Sequence, residues 1–502
     1  MTRFHETTTA IRRTLHSMYS RVTLSGVTLS FFLLSLAFFA VQLLIQAILW
    51  NSDATAFSRL DGIMQHADVP SAPLRWLTSE GDNYDLKMCS RAPNAVKNAS
   101  EVCATIFNTM YPAKPDWAAP SAFRITNASK SLSVHLEHEN TTIQLTEQCA
   151  YTLLYPTQRL RNSVDEELAL IFAQVWLLAI SSSAVFFQSV PHLLALFAMR
   201  VLSTGWSAYT IWRTMDLRIR VDRLIMGANT PCHSDFDIFP TYFSNRIAFQ
   251  IPDLVLSVCA LLYTAVLGWL LLRTFNAGVF NCVGPPARIV RLYRYMLTVH
   301  VSGQLLIYLT ISSLSLALRG VISHKSKHLP MYLTLYIFIV LVTLAMVPLG
   351  YCATRFERRR SMAIFLVVTL GYIVGFLAVF AYPDFVFSWL QWPFYACLTG
   401  INAAALIVCA IFAVICRVHF REGLSHYLHV ERVLSNDSFA TDDFFNRDTV
   451  QDIHFVRTSY GENQTVNVRS KQDVDWDAID QVRPAIFNIE LSSYSSSSSS
   501  HK

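Results

Sequence analysis

The chain has 502 residues, 53% of them hydrophobic and only 15% charged, with mean hydropathy +0.35 and a net charge of +5. Soluble domains carry about 25% charged residues, so an ordinary soluble domain is excluded; the deficit lies in uncharged runs long enough to cross roughly 30 Å of hydrocarbon, about 20 helical residues each. The small basic excess (pI 8.6) sits beside those runs, which makes it a topology signal and not a nucleic-acid surface.

Residues 1–21 carry Arg3, Arg12, Arg13 and Arg21 and are expected in the cytosol. Residues 22–50 contain no charge. A signal-peptide core has roughly 7–15 apolar residues, well short of this run, and Gln46-Ala47-Ile48-Leu49-Trp50 offers no small-x-small cleavage site. The segment reads as a retained signal-anchor helix.

Residues 51–167 read as a β-rich extracytoplasmic domain, a small sandwich, with Trp76, Tyr84, Phe107, Tyr111 and Trp117 for its core. Ser131–Glu137 and Thr142–Thr146 alternate apolar and polar residues across a short polar connection, the pattern of a hairpin with one buried face. Three glycosylation sequons fall here, at Asn98, Asn127 and Asn140. Cys89, Cys103, Cys149 and Cys232 are the cysteines expected on the oxidising side. Their even number implies two disulfides, with three pairings open.

Seven further spans are expected at 168–188, 190–212, 251–272, 296–318, 330–353, 362–382 and 393–416. The first two are separated only by Gln188–His192, a tight antiparallel hairpin. Eight alternating helices put Arg288, Arg291 and Arg294, then Arg355 and Arg358 to Arg360, then Arg417 and Arg421 on the side of the N-terminus. The 213–250 loop breaks the rule with five arginines, and Lys325 and Lys327 also fall outside. The sequons and cysteines decide the orientation: both termini cytosolic, residues 51–167 outside. The fold class is therefore an α-helical polytopic membrane protein, a signal anchor plus a seven-helix bundle over 168–416, with a small β-rich extracytoplasmic domain.

Within the spans, Arg200 is the outstanding residue, because a charge at helix centre costs about 2.5–3.5 kcal/mol on insertion scales. The hairpin brings Ser181, Ser182 and Ser183 to a similar depth, which predicts an intramembrane polar site; the alternative is that Arg200 snorkels to the cytosolic headgroups. Gln174, Gln304 and Asn402 are packing polar residues of the usual interhelical kind. Trp392-Pro393 is a helix start at the outer interface. No span contains lysine, and the chain has no HExxH, G-x-S-x-G, Walker-A loop or paired CxxC. No catalytic residue, cofactor or metal ligand is expected.

Phe420, Leu424, Tyr427 and Leu428 recur at helical spacing among basic residues, so 417–434 is expected to lie on the inner leaflet as an amphipathic helix. Tyr427 to Val430 has the Tyr-x-x-apolar form read by sorting adaptors, and Cys282, Cys352 and Cys416 sit where palmitoylation occurs. Residues 435–502, ending in a serine run, read as a disordered cytosolic tail; Asn436 and Asn463 match the sequon but are expected to stay unmodified there.

The order of signal anchor, lumenal β-rich domain, seven helices and cytosolic tail resembles the Wntless and GOST-type membrane proteins, in topology and without a shared motif. The tail stretch beginning Phe420-Arg421-Glu422-Gly423 is also similar to that of uncharacterised fungal multipass proteins. The chain departs from rhodopsin-like receptors: Arg273-Thr274-Phe275 stands where an acidic-Arg-Tyr triplet belongs, and the last span lacks Asn-Pro-x-x-Tyr. A glycosylated β-rich domain ahead of a helical bundle is a recognition arrangement, so a non-enzymatic protein is expected, receptor-like or cargo-trafficking, that binds through this domain and the outer helix ends. Its partners would be membrane lipids, an extracytoplasmic ligand or secreted cargo, and a cytosolic adaptor at the tail. The alternative is a transporter or channel, which a row of polar residues facing a common interior would favour. A membrane enzyme acting on a lipid or lipid-linked substrate would need clustered polar or acidic side chains at one membrane face, and the sequence shows none compact enough.

Overall fold

A computed structural model of the chain describes residues 26–66, 74–81, 83–89, 103–113, 117, 132–136, 141–227, 229–232, 239–279, 287–323, 329–381, 383–420 and 424. It is mostly helical. The first helix, α1, spans Gly26–His66, 41 residues. At 1.5 Å per residue that is roughly 60 Å, about twice the hydrocarbon thickness. The apolar run ends at Trp50, but the helix continues through Asp53 and Asp61. The stripe Leu49, Asp53, Ala56, Leu60 and Met64 stays buried at helical spacing and holds the extension against a second core.

Strands β1 (Leu74–Glu80) and β2 (Asn83–Cys89) form a hairpin that turns at Gly81, where φ is +62°. That left-handed conformation suits a residue without Cβ. Strand β3 (Cys103–Asn108) completes an antiparallel sheet in the order β1-β2-β3, with Cys89 opposite Cys103 and bonded to it. The hairpin read from alternation is present as a separate ribbon of β4 (Leu132–Leu136) and β5 (Thr141–Leu145), with Val134 opposite Ile143. Among the described residues the two units make no sandwich.

Helix α2 (Glu147–Phe186) follows, started by Thr146, whose hydroxyl accepts from the Cys149 amide at 3.2 Å. It begins some 20 residues before the expected span. Then come α3 (Val190–Val221, closed by a π-turn at Asp222–Met226), α4 (Tyr242–Val279), α5 (Ala287–Ser323), α6 (Leu329–Arg355), α7 (Arg359–Val379), a short α8 (Pro383–Gln391) and α9 (Pro393–Val418). Seven of these, α1, α2, α4, α5, α6, α7 and α9, are long and apolar enough to cross a membrane. The chain is a multipass membrane protein on that count. Helix α3, expected as an eighth span, has the length, but Arg200, Thr204, Ser207, Thr210, Arg213 and Thr214 dilute its apolar character.

Two of the cores position everything else. One lies beside the sheet. It joins Leu86, Met88, Ile106 and Phe107 to Leu60 of α1, Tyr151 and Leu154 of α2, Leu224 after α3, and Phe243 of α4. The expected domain limits at 51 and 167 therefore cut through continuous helices, because the sheet is too small to bury its face alone and borrows theirs. Tyr111, expected in this core, is 67% exposed. The other core, between the helices, includes Phe31, Leu177, Leu196, Leu271, Leu309 and Phe394. The outward faces carry exposed Leu44, Leu262, Phe338, Val367 and Leu377, an apolar belt of the kind lipid covers.

Candidate functional site

A column of polar side chains runs between α1, α3 and α4. On α1 these are Ser35, Gln42, Gln46 and Asp53, at heptad spacing on one buried face. Ser35 meets the Tyr263 hydroxyl at 2.9 Å. Gln42 donates to Ser257 at 3.0 Å and accepts from Arg200 Nη1 at 2.7 Å. Gln46 donates to Asp253 Oδ1 at 3.1 Å, while Ser207 donates to Asp253 Oδ2 at 2.7 Å. Asp53 accepts from the Tyr242 hydroxyl at 2.7 Å and from Arg246. Partner numbers fall along α4 and rise along α3 as α1 advances. Thus α3 runs parallel to α1, and α4 runs against both.

The column ends, on the sheet side, in a buried charge cluster. Arg246 Nη2 donates to Glu167 Oε1 at 2.9 Å, and Arg213 donates to Glu166. Trp392 Nε1 donates to the other oxygen of Glu166 at 2.6 Å, which ties α9 to the cluster. Arg319 reaches Asp165 at 3.3 Å. Asp53, Glu166, Glu167 and Arg246 are all at most 3% exposed. Pairing is what makes such burial tolerable; an unpaired ion there carries a desolvation penalty of several kcal/mol. Sheet and helices are also tied by Arg75, which donates to Gln158 of α2 at 3.0 Å. Burial, and then the nearby Arg161, lowers Arg75 to about 10, so it remains charged at neutral pH.

At the far end of the helices, away from the sheet, lies a cavity of about 670 Å³. Its walls come from the α2–α3 turn, α5, α6, α7 and α9, with Trp176, Ile180, Phe187, Leu306, Met346 and Phe365 supplying apolar surface. Among its polar groups are His192, bonded to Ser189 at 2.7 Å, His300, bonded to Thr354 at 2.8 Å, and Gln304, whose buried Oε1 has no hydrogen-bond partner. Gly303 opens the α5 wall: a Cβ there would meet nothing closer than Val347 at 3.8 Å.

The expected sites fare differently. The four cysteines form two bonds, Cys89–Cys103 and Cys149–Cys232, the second pinning the start of α2 to the segment after α3. Arg200 is buried, as a polar site requires, but its partner is Gln42 and not the serines. Ser181 and Ser183 turn back to the carbonyls of Leu178 and Ala179 on their own helix. Ser182, between them, is half-buried. The snorkelling alternative fails because α1 covers Arg200. Asn402 accepts from Thr310 at 3.2 Å, an interhelical contact of the kind expected. Cys352 is exposed, whereas Cys416 is 7% exposed within the α5–α6–α9 packing and closed to an acyltransferase. Phe420 and Leu424 bury against the bundle instead of facing lipid. Asn98, Asn127, Asn140, Cys282, Tyr427 and Val430 lie outside the described residues.

The charge cluster was missed because its members sit on five helices, and only Asp165, Glu166 and Glu167 are neighbours in sequence. The signal available was the spacing of Gln42, Gln46 and Asp53 in an otherwise apolar run. No group of three or more His, Cys, Asp or Glu side chains suited to a metal ion occurs among the described residues. No protein-family model, curated relative or solved structure matches the chain.

Proposed function

We propose that this is a non-enzymatic membrane recognition protein, receptor-like or cargo-carrying, whose ligand is an amphiphile held in the helix-bundle cavity. The observation that carries this reading is the 670 Å³ space with mainly apolar walls and a few converging polar groups. Small-molecule sites typically have about 300–1,000 Å³ and that kind of lining. His192, His300 and Gln304 would meet the polar head and the aromatic and aliphatic walls the body. The β-rich domain, expected to be the recognition surface, offers a small core shared with the helices.

In this reading eight helices cross the bilayer. Support comes from α3, which runs parallel to α1 with Arg200 at the level of Gln42 and Ser207 at that of Gln46. The Cys149–Cys232 bond closes the α2–α3 excursion on the sheet side. Both termini are then cytosolic and the disulfides lumenal or extracellular, in the secretory pathway or at the plasma membrane. One observation favours the alternative, a transporter: the polar column is the row of polar residues facing a common interior that transport needs. Its members are bonded to one another, which makes the column a packed seam.

The test is mass spectrometry of small molecules retained by full-length protein purified in nanodiscs, beside Gly303→Phe, which fills the cavity from the α5 wall. An amphiphile bound stoichiometrically to the wild type and lost from the folded variant supports the reading. Retention in the variant, or no retained amphiphile in the wild type, overturns it.

A further inference from the structure

Between α1, α2, α3 and α4, next to the charge cluster, is a second and much smaller void, about 10 Å³. Gln46, Glu167, Ser207, Thr210, Gln250 and Asp253 line it, all of them at most 6% exposed. We infer that this void is a binding site for a single sodium-sized monovalent cation.

Three independent observations meet there. The first is the set of unpartnered oxygens. Gln46 Oε1, Gln250 Oε1 and Glu167 Oε2 are buried without a hydrogen-bond partner, and Gln250 Nε2 is likewise unpaired. The Gln46 amide is oriented by its donation to Asp253, which leaves its oxygen free. Leaving buried polar atoms unmet costs about 1–3 kcal/mol each, so several at one void call for an occupant. The second is charge. Counted as ionised, Asp53, Asp165, Glu166, Glu167 and Asp253 stand against Arg200, Arg213, Arg246 and Arg319: five carboxylates and four guanidiniums, one formal negative charge over. The third is size. About one water-sized sphere fits, which admits one dehydrated monovalent ion, sodium where the oxygens close onto it, and not a magnesium ion, which keeps several of its waters. The donors are amide, hydroxyl and carboxylate oxygens from four helices, a hard-cation set.

A bound cation would lock α1, α2, α3 and α4 together just beneath the sheet. It requires no ligand in the large cavity, so the two proposals stand or fall separately.

The experiment is thermal unfolding of full-length protein in nanodiscs at fixed pH and fixed total salt, comparing sodium, potassium and choline chlorides. Sodium is expected to raise the midpoint saturably, by about 3–5 °C over choline, with potassium weaker. Gln250→Leu removes an oxygen donor without changing charge and should erase the difference between salts. Should that variant misfold, Gln46→Met is read in the same way, and sodium-23 relaxation on the wild type reports binding without any variant. Equal midpoints in the three salts would mean that a water or a proton fills the void and would overturn the inference. So would a sodium effect that survives both substitutions.

Discussion

Arg246 of α4 donates to Glu167 of α2 at 2.9 Å, and each side chain is at most 3% exposed. The same guanidinium bonds Asp53 of α1, so one side chain fastens three helices where they leave the apolar region. Replacing Arg246 by Met strands two buried carboxylates. The expected loss is about 3–5 kcal/mol, read as a lowered unfolding midpoint of the purified protein. Adding Asp53→Asn and Glu167→Gln should restore a good part of it, since the neutral amides remove the uncompensated charge. A triple variant as unstable as the single one would refute this role for Arg246.

The Cys149–Cys232 bond closes 83 residues of chain. Loop-closure arithmetic gives such a bond about 4.5 kcal/mol. Paired replacement of both cysteines by alanine should lower stability by that order, and peptide mapping without reduction should recover this linkage and Cys89–Cys103. Any other pairing contradicts the fold.

Labelling with a membrane-permeant maleimide separates the free cysteines. Cys352 is exposed and lines the large cavity, so it should react in the folded protein; Cys416 should react only after unfolding. Occupancy of the cavity by an amphiphile should slow the reaction at Cys352. Fast labelling of Cys416 would show that the α5–α6–α9 packing is wrong.

Helices α6 and α7 approach closely at Gly350, where a Cβ would stand 2.8 Å from the Phe365 ring. Gly350→Leu therefore overpacks a buried contact and should cost about 1–3 kcal/mol. Combining it with Phe365→Ala makes room and should recover stability. Additive losses would argue that the two residues do not touch.

Glycosidase treatment tests the orientation. Mass shifts are expected from Asn98, Asn127 and Asn140, and none from Asn436 or Asn463. Efficient modification of either tail site would invert the topology.

Seven of the eight expected spans were legible because an uncharged run of membrane length is rarely anything but a span, and the β4–β5 ribbon because alternation survives in a short strand pair. The sheet of β1, β2 and β3 was not. Its strands mix charged and apolar residues, as at Arg75, Asp85 and Lys87, and owe their burial to residues of four helices, α1 to α4. Helix ends were misjudged for a related reason. Hydropathy marks where apolar composition stops, whereas α1 and α2 continue as long as their inward stripe stays buried. Arg200 announced itself by its charge, but its partner did not. Only the antiparallel register of α1 with α4 brings Ser257 to Gln42, Asp253 to Gln46 and Arg246 to Asp53.

Helices α1 and α2 have one further effect. Each passes from the apolar bundle into the core under the sheet without a break, and that core also draws on residues from the ends of α3 and α4. Among the described residues the core under the sheet is built on continuations of the bundle helices, so a cut at residue 51 or 167 falls inside a helix. A fragment cut at residues 51 and 167 keeps the strands but loses Val221, Leu224, Ile225, Tyr242 and Phe243, and also Cys232, the mate of Cys149. Among the described residues the sheet and the helix ends share one core, so a substitution that loosens those helix ends is expected to loosen the sheet with them.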